Sequence, residues 1–158
     1  MAETIHRDKR QSTLHFYIHV VFFTFRDLFF PRKYILREVG LKSGTRVVDY
    51  GCGPGSYVML LSRIVGETGR VYAVDSDLHA VDKVKNAVSL KQLKNVEVVC
   101  SDCETGLPDT SVDAVLLYDV LHAVGQPQAV LEELRRILKP GGILSFQDHK
   151  MHSSNFIR

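Results

Sequence analysis

The sequence predicts an α/β fold: a doubly wound, mostly parallel sheet with helices on both faces. Three observations carry that prediction. From Arg46 onward, short and near-continuous apolar runs alternate with segments of helical periodicity, which is how strands buried on both faces of a sheet read. Glycine and acidic residues follow the apolar runs, at Gly51-Cys52-Gly53-Pro54-Gly55, Asp75 and Asp102. Open α/β sheets bind ligands at those places, outside the carboxyl ends of the strands. Finally, 158 residues with 45% hydrophobic and 24% charged side chains suit one soluble domain with a substantial core.

The elements follow in order. The first dozen residues are polar and expected to fray. Residues 13–30 predict a helix with apolar side chains around most of its circumference. Such a helix calls for burial against its own domain, a partner or a membrane surface, and docking on its own domain is the expectation. Pro31 suits the first turn of a second helix that ends near Gly40. Residues 1–40 are thus read as an N-terminal helical segment packed on the core, and 41–158 as the ligand-binding domain.

Arg46–Tyr50 is a strand closed by glycines, and Ser56–Val65 a helix ended by Gly66. Arg70–Asp75 is the second strand, Asp77–Leu90 a helix and Asn95–Cys100 the third strand. After the turn Leu107-Pro108-Asp109-Thr110-Ser111 comes the fourth strand, Val112–Tyr118. Gln128–Leu138 is a helix with Val130, Leu131, Leu134, Ile137 and Leu138 on its apolar stripe. Pro140-Gly141-Gly142 is expected to end it, and Ile143–Gln147 is the fifth strand.

Composition narrows the function. A formal charge of +2, with basic residues scattered along helices, gives no clustered basic face, so no nucleic-acid partner is expected. Cys52, Cys100 and Cys103 form no disulfide framework, and a reducing cytoplasm fits them best. The Cys100-x-x-Cys103 spacing lacks a second ligand pair and His149 and His152 lie near the tail, so no metal is expected. No run reaches the ~18 apolar residues of a transmembrane segment. The Leu14–Phe30 stretch is interrupted by Arg26 and Asp27, and phenylalanines stand where a signal cleavage site belongs.

Chemistry gathers at three strand ends. Gly51, Gly53 and Gly55 permit a sharp strand-to-helix turn and close backbone approach to a ligand. The dinucleotide fingerprint starting at Gly51 would need glycine where Ser56 stands, which disfavours a nicotinamide-dependent oxidoreductase. Asp49, just before the loop, suits a ligand with an ammonium group better than a pyrophosphate. Asp75, followed by Ser76, stands where an acid meets ribose hydroxyls in nucleotide-binding folds; the competing reading is a helix cap at Asp75 or Asp77. At the end of strand three, Asp102 is suited to accept from an exocyclic amine of a base.

Together these residues resemble the class I S-adenosylmethionine-dependent methyltransferases, most closely the ubiquinone/menaquinone-biosynthesis branch (methyltransferase type 11). The resemblance runs from about Pro31 to Gln147 and includes Leu134-Arg135-Arg136-Ile137-Leu138-Lys139-Pro140-Gly141-Gly142 as the turn into strand five. It implies a Rossmann-like sheet of order 3-2-1-4-5. It further implies S-adenosylmethionine as cofactor, with Asp49, Gly51, Cys52, Gly53 and Gly55 around its methionine portion. Asp75 and Ser76 fall to the ribose, Asp102 and Cys103 to adenine, and Tyr118 to the sulfonium and the acceptor. The N-terminal segment, with Tyr17 and Tyr34, is expected to wall the acceptor site.

Family members continue past strand five with a helix and an antiparallel strand pair, and His149–Arg158 is too short for these. Truncation is favoured over a short form that completes its sheet by association, through the exposed sheet edge or the apolar N-terminal helix, as a homodimer. The leading function is an in-line methyl transfer to a small-molecule acceptor. The alternative is a catalytically inactive cofactor-binding module that acts through a partner. If the acceptor must shed a proton, Asp119 and His122 are the candidate catalytic residues. The competing readings are a helix-capping Asp119 and a half-buried His122 on that helix.

Overall fold

Valine-rich segments give five strands because β-branched side chains pack well on a pleated surface. The computed structural model describes residues 32–150, with side chains from residue 35 onward. In chain order the elements are α1 (Arg32–Val39), β1 (Arg46–Tyr50), α2 (Val58–Val65), β2 (Arg70–Asp75), α3 (Leu78–Leu90), β3 (Val96–Cys100), β4 (Val112–Tyr118), α4 (Pro127–Ile137) and β5 (Leu138–Gln147). The strands form one sheet of order β3-β2-β1-β4-β5, and every neighbouring pair is parallel. The expected fold class and strand order are both present.

Alternation along the strands divides the core in two. Val47, Val71, Ala73, Ala114 and Leu116 face α1, α2 and α3, where Leu36, Val58, Leu61, Val65 and Val84 complete one cluster. Val48, Tyr50, Val74, Val115 and Leu117 face the other way, onto Val130, Leu134 and Ile137 of α4. Most of these side chains are fully buried, each aliphatic one stabilising the fold by about 1.5–3 kcal/mol relative to an exposed position. β5 differs. As the edge strand, it leaves Ile143, Leu144 and Phe146 39–45% exposed.

Five expectations need correction. Helix α2 starts at Val58, after Ser56, because positive-φ glycines at 53 and 55 (φ 51° and 84°) keep the chain turning. The first helical position of α3 is Leu78; Asp77 is its N-cap, accepting a bond from the His79 N–H at 2.8 Å. Helix α4 ends at Ile137, ahead of Pro140-Gly141-Gly142. A residue preceding proline is pushed out of helical geometry, and the chain turns extended at Leu138, which already pairs with Val112. The register then jumps to Ala114 opposite Ile143, so the intervening Lys139–Gly142 bulges from the ladder and β5 is longer than expected. Finally, residues 119–126 contain no helix, only a turn in which the Ala123 N–H donates to the Val120 carbonyl at 2.8 Å. Asp119 therefore caps no helix, and His122 stands on a turn.

The Thr13–Phe30 helix, Pro31, His152 and the side chains of Tyr17 and Tyr34 lie outside the described residues. Among the described residues, no helix is long and apolar enough to cross a membrane.

Candidate functional site

The strand order reverses between β1 and β4, and in such sheets a crevice opens above the carboxyl ends of those strands. Gly51 and Cys52 both donate their N–H groups to the Val74 carbonyl, at 2.8 and 2.9 Å, which pins the turn after β1 to β2. A Cβ on Gly51 (φ 74°) would stand 2.1 Å from Cγ2 of Val120. The turn after β4 therefore packs directly on the glycine loop. Gly53 differs: among the described residues a Cβ there would meet nothing within 4 Å, so with respect to them its backbone faces open space.

Two acids border this opening. Asp49, on the α1/α2/α3 face of β1 by strand alternation, is buried. Asp75 ends β2; its Oδ2 accepts from the Gly53 N–H at 2.7 Å and its Oδ1 from the Asp77 N–H at 2.9 Å. Burial raises the Asp75 pKa, opposed by those backbone bonds. Burial, followed by the charges of Asp49 and Asp75, also drives the Cys52 thiol well up. Cys52 thus stays a thiol at neutral pH and is no nucleophile. Tyr118, at the end of β4, shares a 2.6 Å hydrogen bond with the Ser145 hydroxyl. Its ring lies 5.2 Å from that of Tyr57, tilted by 56°.

Ser76, just after β2, and Asp102, just after β3, are exposed, and Cys103 is half-buried. The Cys103 N–H donates to the Ser101 hydroxyl at 3.2 Å, and that hydroxyl donates to the Glu104 carbonyl. The Cys103 carbonyl accepts from the Tyr50 hydroxyl at 3.3 Å, which fastens this loop to the end of β1. Burial raises the Tyr50 phenol, so it remains the donor. Further along, Thr105 donates its N–H and hydroxyl to Glu133 Oε1, at 2.8 and 2.6 Å, and Arg136 Nε donates to Oε2 at 2.8 Å. The Arg136 bond, helped by Thr105, holds Glu133 down at about 2.

The ends of β4 and β5 carry a crossed clasp. Asp148 Oδ2 accepts from the His122 N–H at 3.1 Å, and Asp148 Oδ1 lies 2.9 Å from His122 Nδ1. In return, Asp119 Oδ1 accepts from the His149 N–H at 2.9 Å and lies 2.8 Å from His149 Nδ1. Asp119 itself has φ 56°, a left-handed conformation that aspartate adopts more readily than most residues.

A family model described as a methyltransferase domain matches residues 41–157. The chain belongs to the class I S-adenosylmethionine-dependent methyltransferases. It is 34% identical over 116 residues to demethylmenaquinone methyltransferase of Staphylococcus aureus, covering 72% of this chain and 46% of that protein. The chain therefore spans about half the length of the curated relatives it matches. A structure of an S-adenosylmethionine-dependent methyltransferase from Aquifex aeolicus superposes with a TM-score of 0.69 at 40% identity, over 73% of this chain and 62% of that one. An arsenic(III) S-adenosylmethionine methyltransferase from Chlamydomonas reinhardtii gives 0.59 at 29% identity, over 65% and 38%.

The residues present fit the cofactor of this methyltransferase family, S-adenosylmethionine. Open space lies over the Gly53 backbone, and Asp75, although bonded to two N–H groups, keeps further lone pairs for hydroxyl donors. Of the residues read from sequence, Asp49, Gly51, Cys52, Gly53, Gly55 and Asp75 gather on the loop and its two flanking strands, and Tyr118 ends β4 beside them. Ser76 and Asp102-Cys103 follow β2 and β3. Sequence reading missed Tyr50, Tyr57 and Asp148. Tyr50 immediately precedes Gly51 and could have been noticed there; the pairing of Asp148 with a histidine 26 positions away carries no local signal.

Proposed function

We propose that this chain transfers the S-adenosylmethionine methyl group to a small-molecule acceptor bound above β4. The observation that carries the reading is the Gly53 backbone facing open space between two acids at the carboxyl ends of β1 and β2. Asp49 and the Gly51–Gly55 backbone hold the methionine end, Asp75 and Ser76 the ribose, and Asp102 and Cys103 the adenine. Tyr118 borders the sulfonium, whose positive charge an aromatic face favours. Bound there, the cofactor supplies an electrophilic methyl carbon whose bonding pair to sulfur leaves with the sulfur. The chain's residues orient the acceptor in line and exclude water, and such positioning alone is worth about 7–11 kcal/mol at its best.

The likeness to demethylmenaquinone methyltransferase makes a quinol the first acceptor to try. A cytoplasmic location accords with the three free cysteines. Edge strand β5, with Ile143 and Leu144 partly exposed, supports association with a second copy of the chain. Nothing favours the alternative of a catalytically inactive module.

Calorimetric titration with S-adenosylmethionine and S-adenosylhomocysteine tests the reading, with Asp75→Ala beside the wild type. The variant should bind at least tenfold more weakly, a loss of about 1.4 kcal/mol or more, while circular dichroism shows it folded. A folded wild type that takes up neither compound would overturn the cofactor site.

A further inference from the structure

Of the two histidines in the crossed clasp, only one is arranged to move a proton. His149 has both ring nitrogens engaged, Nδ1 with Asp119 and Nε2 with the Gln147 amide at 3.1 Å, and its side chain is 61% exposed. His122 has Nδ1 engaged with Asp148 and no hydrogen bond to Nε2 among the described residues; its side chain is 22% exposed, that of Asp148 fully covered. Burial alone would push the Asp148 carboxyl up. The ring and backbone bonds from His122 outweigh it and hold Asp148 below the usual carboxylate range, so it is an anion at neutral pH. An anion accepts and does not donate, so Nδ1 carries a proton, and in the neutral ring it is Nε2 that presents the lone pair.

The position suits the reaction. His122 follows Val120, which fills the space beside Gly51, and Leu121, which is buried in the core. Its backbone is therefore fixed to the glycine loop on one side and, through the Asp148 bond to its N–H, to β5 on the other. Asp119, the other candidate, is occupied by the His149 N–H and ring.

We propose that His122 is the general base of the transfer and that Asp148 is its positioning residue; this rests on the methyltransferase reading above. The acceptor's proton passes to His122 Nε2. The electron pair left on the acceptor atom forms the bond to the methyl carbon as the methyl–sulfur bond breaks with its pair on sulfur. The imidazolium then returns the proton to solvent. Asp148 fixes the tautomer and stabilises the imidazolium; Tyr118, Asp119, His149 and Lys150 are titratable neighbours at these strand ends. The acceptor class is one that sheds a proton at or beside the methylated atom: a phenol, a quinol carbon or a protonated amine.

Two measurements on the full chain test this. The first is a long-range proton–nitrogen NMR spectrum of the histidine rings in the S-adenosylhomocysteine-loaded protein. His122 should be the Nδ1–H tautomer, and in Asp148→Asn, whose amide can also donate, that population should fall. An Nε2–H tautomer in the wild type would overturn the positioning role. The second is methyl transfer from radiolabelled S-adenosylmethionine to a short-chain demethylmenaquinol. His122→Gln should lower kcat by 10²–10⁴-fold, Asp148→Asn should lower kcat with little change in KM, and added imidazole should restore part of the rate to His122→Ala. A folded His122→Gln variant with wild-type kcat would overturn the base assignment. A wild type that binds S-adenosylhomocysteine yet methylates no quinol or phenol probe would instead sink the activity reading, and the tautomer spectrum would still decide the clasp.

Discussion

At Gly51 the place of a Cβ is taken by Val120, whereas over Gly53 it is empty, and the two glycines should answer differently to alanine. Gly51→Ala combines overpacking with a positive-φ penalty, an expected loss of about 2–5 kcal/mol. Thermal denaturation should show Val120→Ala rescuing part of it, since the φ penalty remains. Gly53→Ala has only the φ term of about 1–2 kcal/mol, so it should fold while binding S-adenosylhomocysteine poorly; unchanged affinity would mean that the cofactor does not approach that backbone. The sequence made these glycines visible because they lie within one five-residue stretch. It could not say which one meets a neighbour and which a ligand, because Val120 comes from another strand's end. Asp49 and Asp75 were legible for the same local reason. Asp148 was not, since its meaning depends on β5 lying beside β4.

Among the elements, α4 is tied to the loop after β3 by the Glu133 carboxylate, by Arg136, which donates to the Leu107 carbonyl at 2.8 Å, and by the Thr110 N–H, which donates to the Arg136 carbonyl at 2.9 Å. Glu133 is 8% exposed and receives Thr105 and Arg136. Its pKa is depressed, so its contribution to stability is complete above the ordinary value of 4.5 and is lost as pH falls toward about 2. Replacing it with glutamine should cost about 1.5–3 kcal/mol near neutral pH. The value is kept low because Arg136 is 37% exposed and solvent screens the pair. Chemical denaturation at several pH values checks this: the variant's stability should fall less than that of the wild type below pH 4.5, and parallel curves would refute the assignment. Sequence periodicity located α4 but not its termination, because the helix yields to the β4–β5 ladder and to proline before the glycine pair is reached. The helix that the competing readings of Asp119 and His122 assumed is replaced by a turn at 119–126 for a similar reason. Apart from the one bond from Ala123 to Val120, Asp119 and His122 of this turn bond to Gln147, Asp148 and His149, at and just beyond the end of β5.

At the scale of the molecule, the described residues form a five-stranded sheet in which edge strand β5 carries partly exposed Ile143, Leu144 and Phe146. Fold class was readable from sequence because it rests on the repeated alternation of apolar run and helix, a signal spread over a hundred positions; the strand order came only from the resemblance to the methyltransferases. The state of association was not, since edge pairing has no periodicity of its own. If copies pair through β5, light scattering should give a concentration-dependent dimer, and a lysine at Leu144 should return it to monomer; a monomer at every concentration would remove that reading.

The position of β1 at the centre of the sheet has a consequence for how the chain is made. β1 pairs on one side with β2, which follows closely, and on the other with β4, so that the Arg46 N–H waits for a carboxylate 67 positions later. On the ribosome, β1, β2 and β3 can assemble as soon as they emerge, with one flank of β1 bare. At 5–20 residues per second that flank stays uncovered for roughly 3–13 seconds before β4 is synthesised. During that interval the nascent half-sheet offers an apolar edge to any passing strand, and the glycine loop, already complete in sequence, still lacks the valine that closes it.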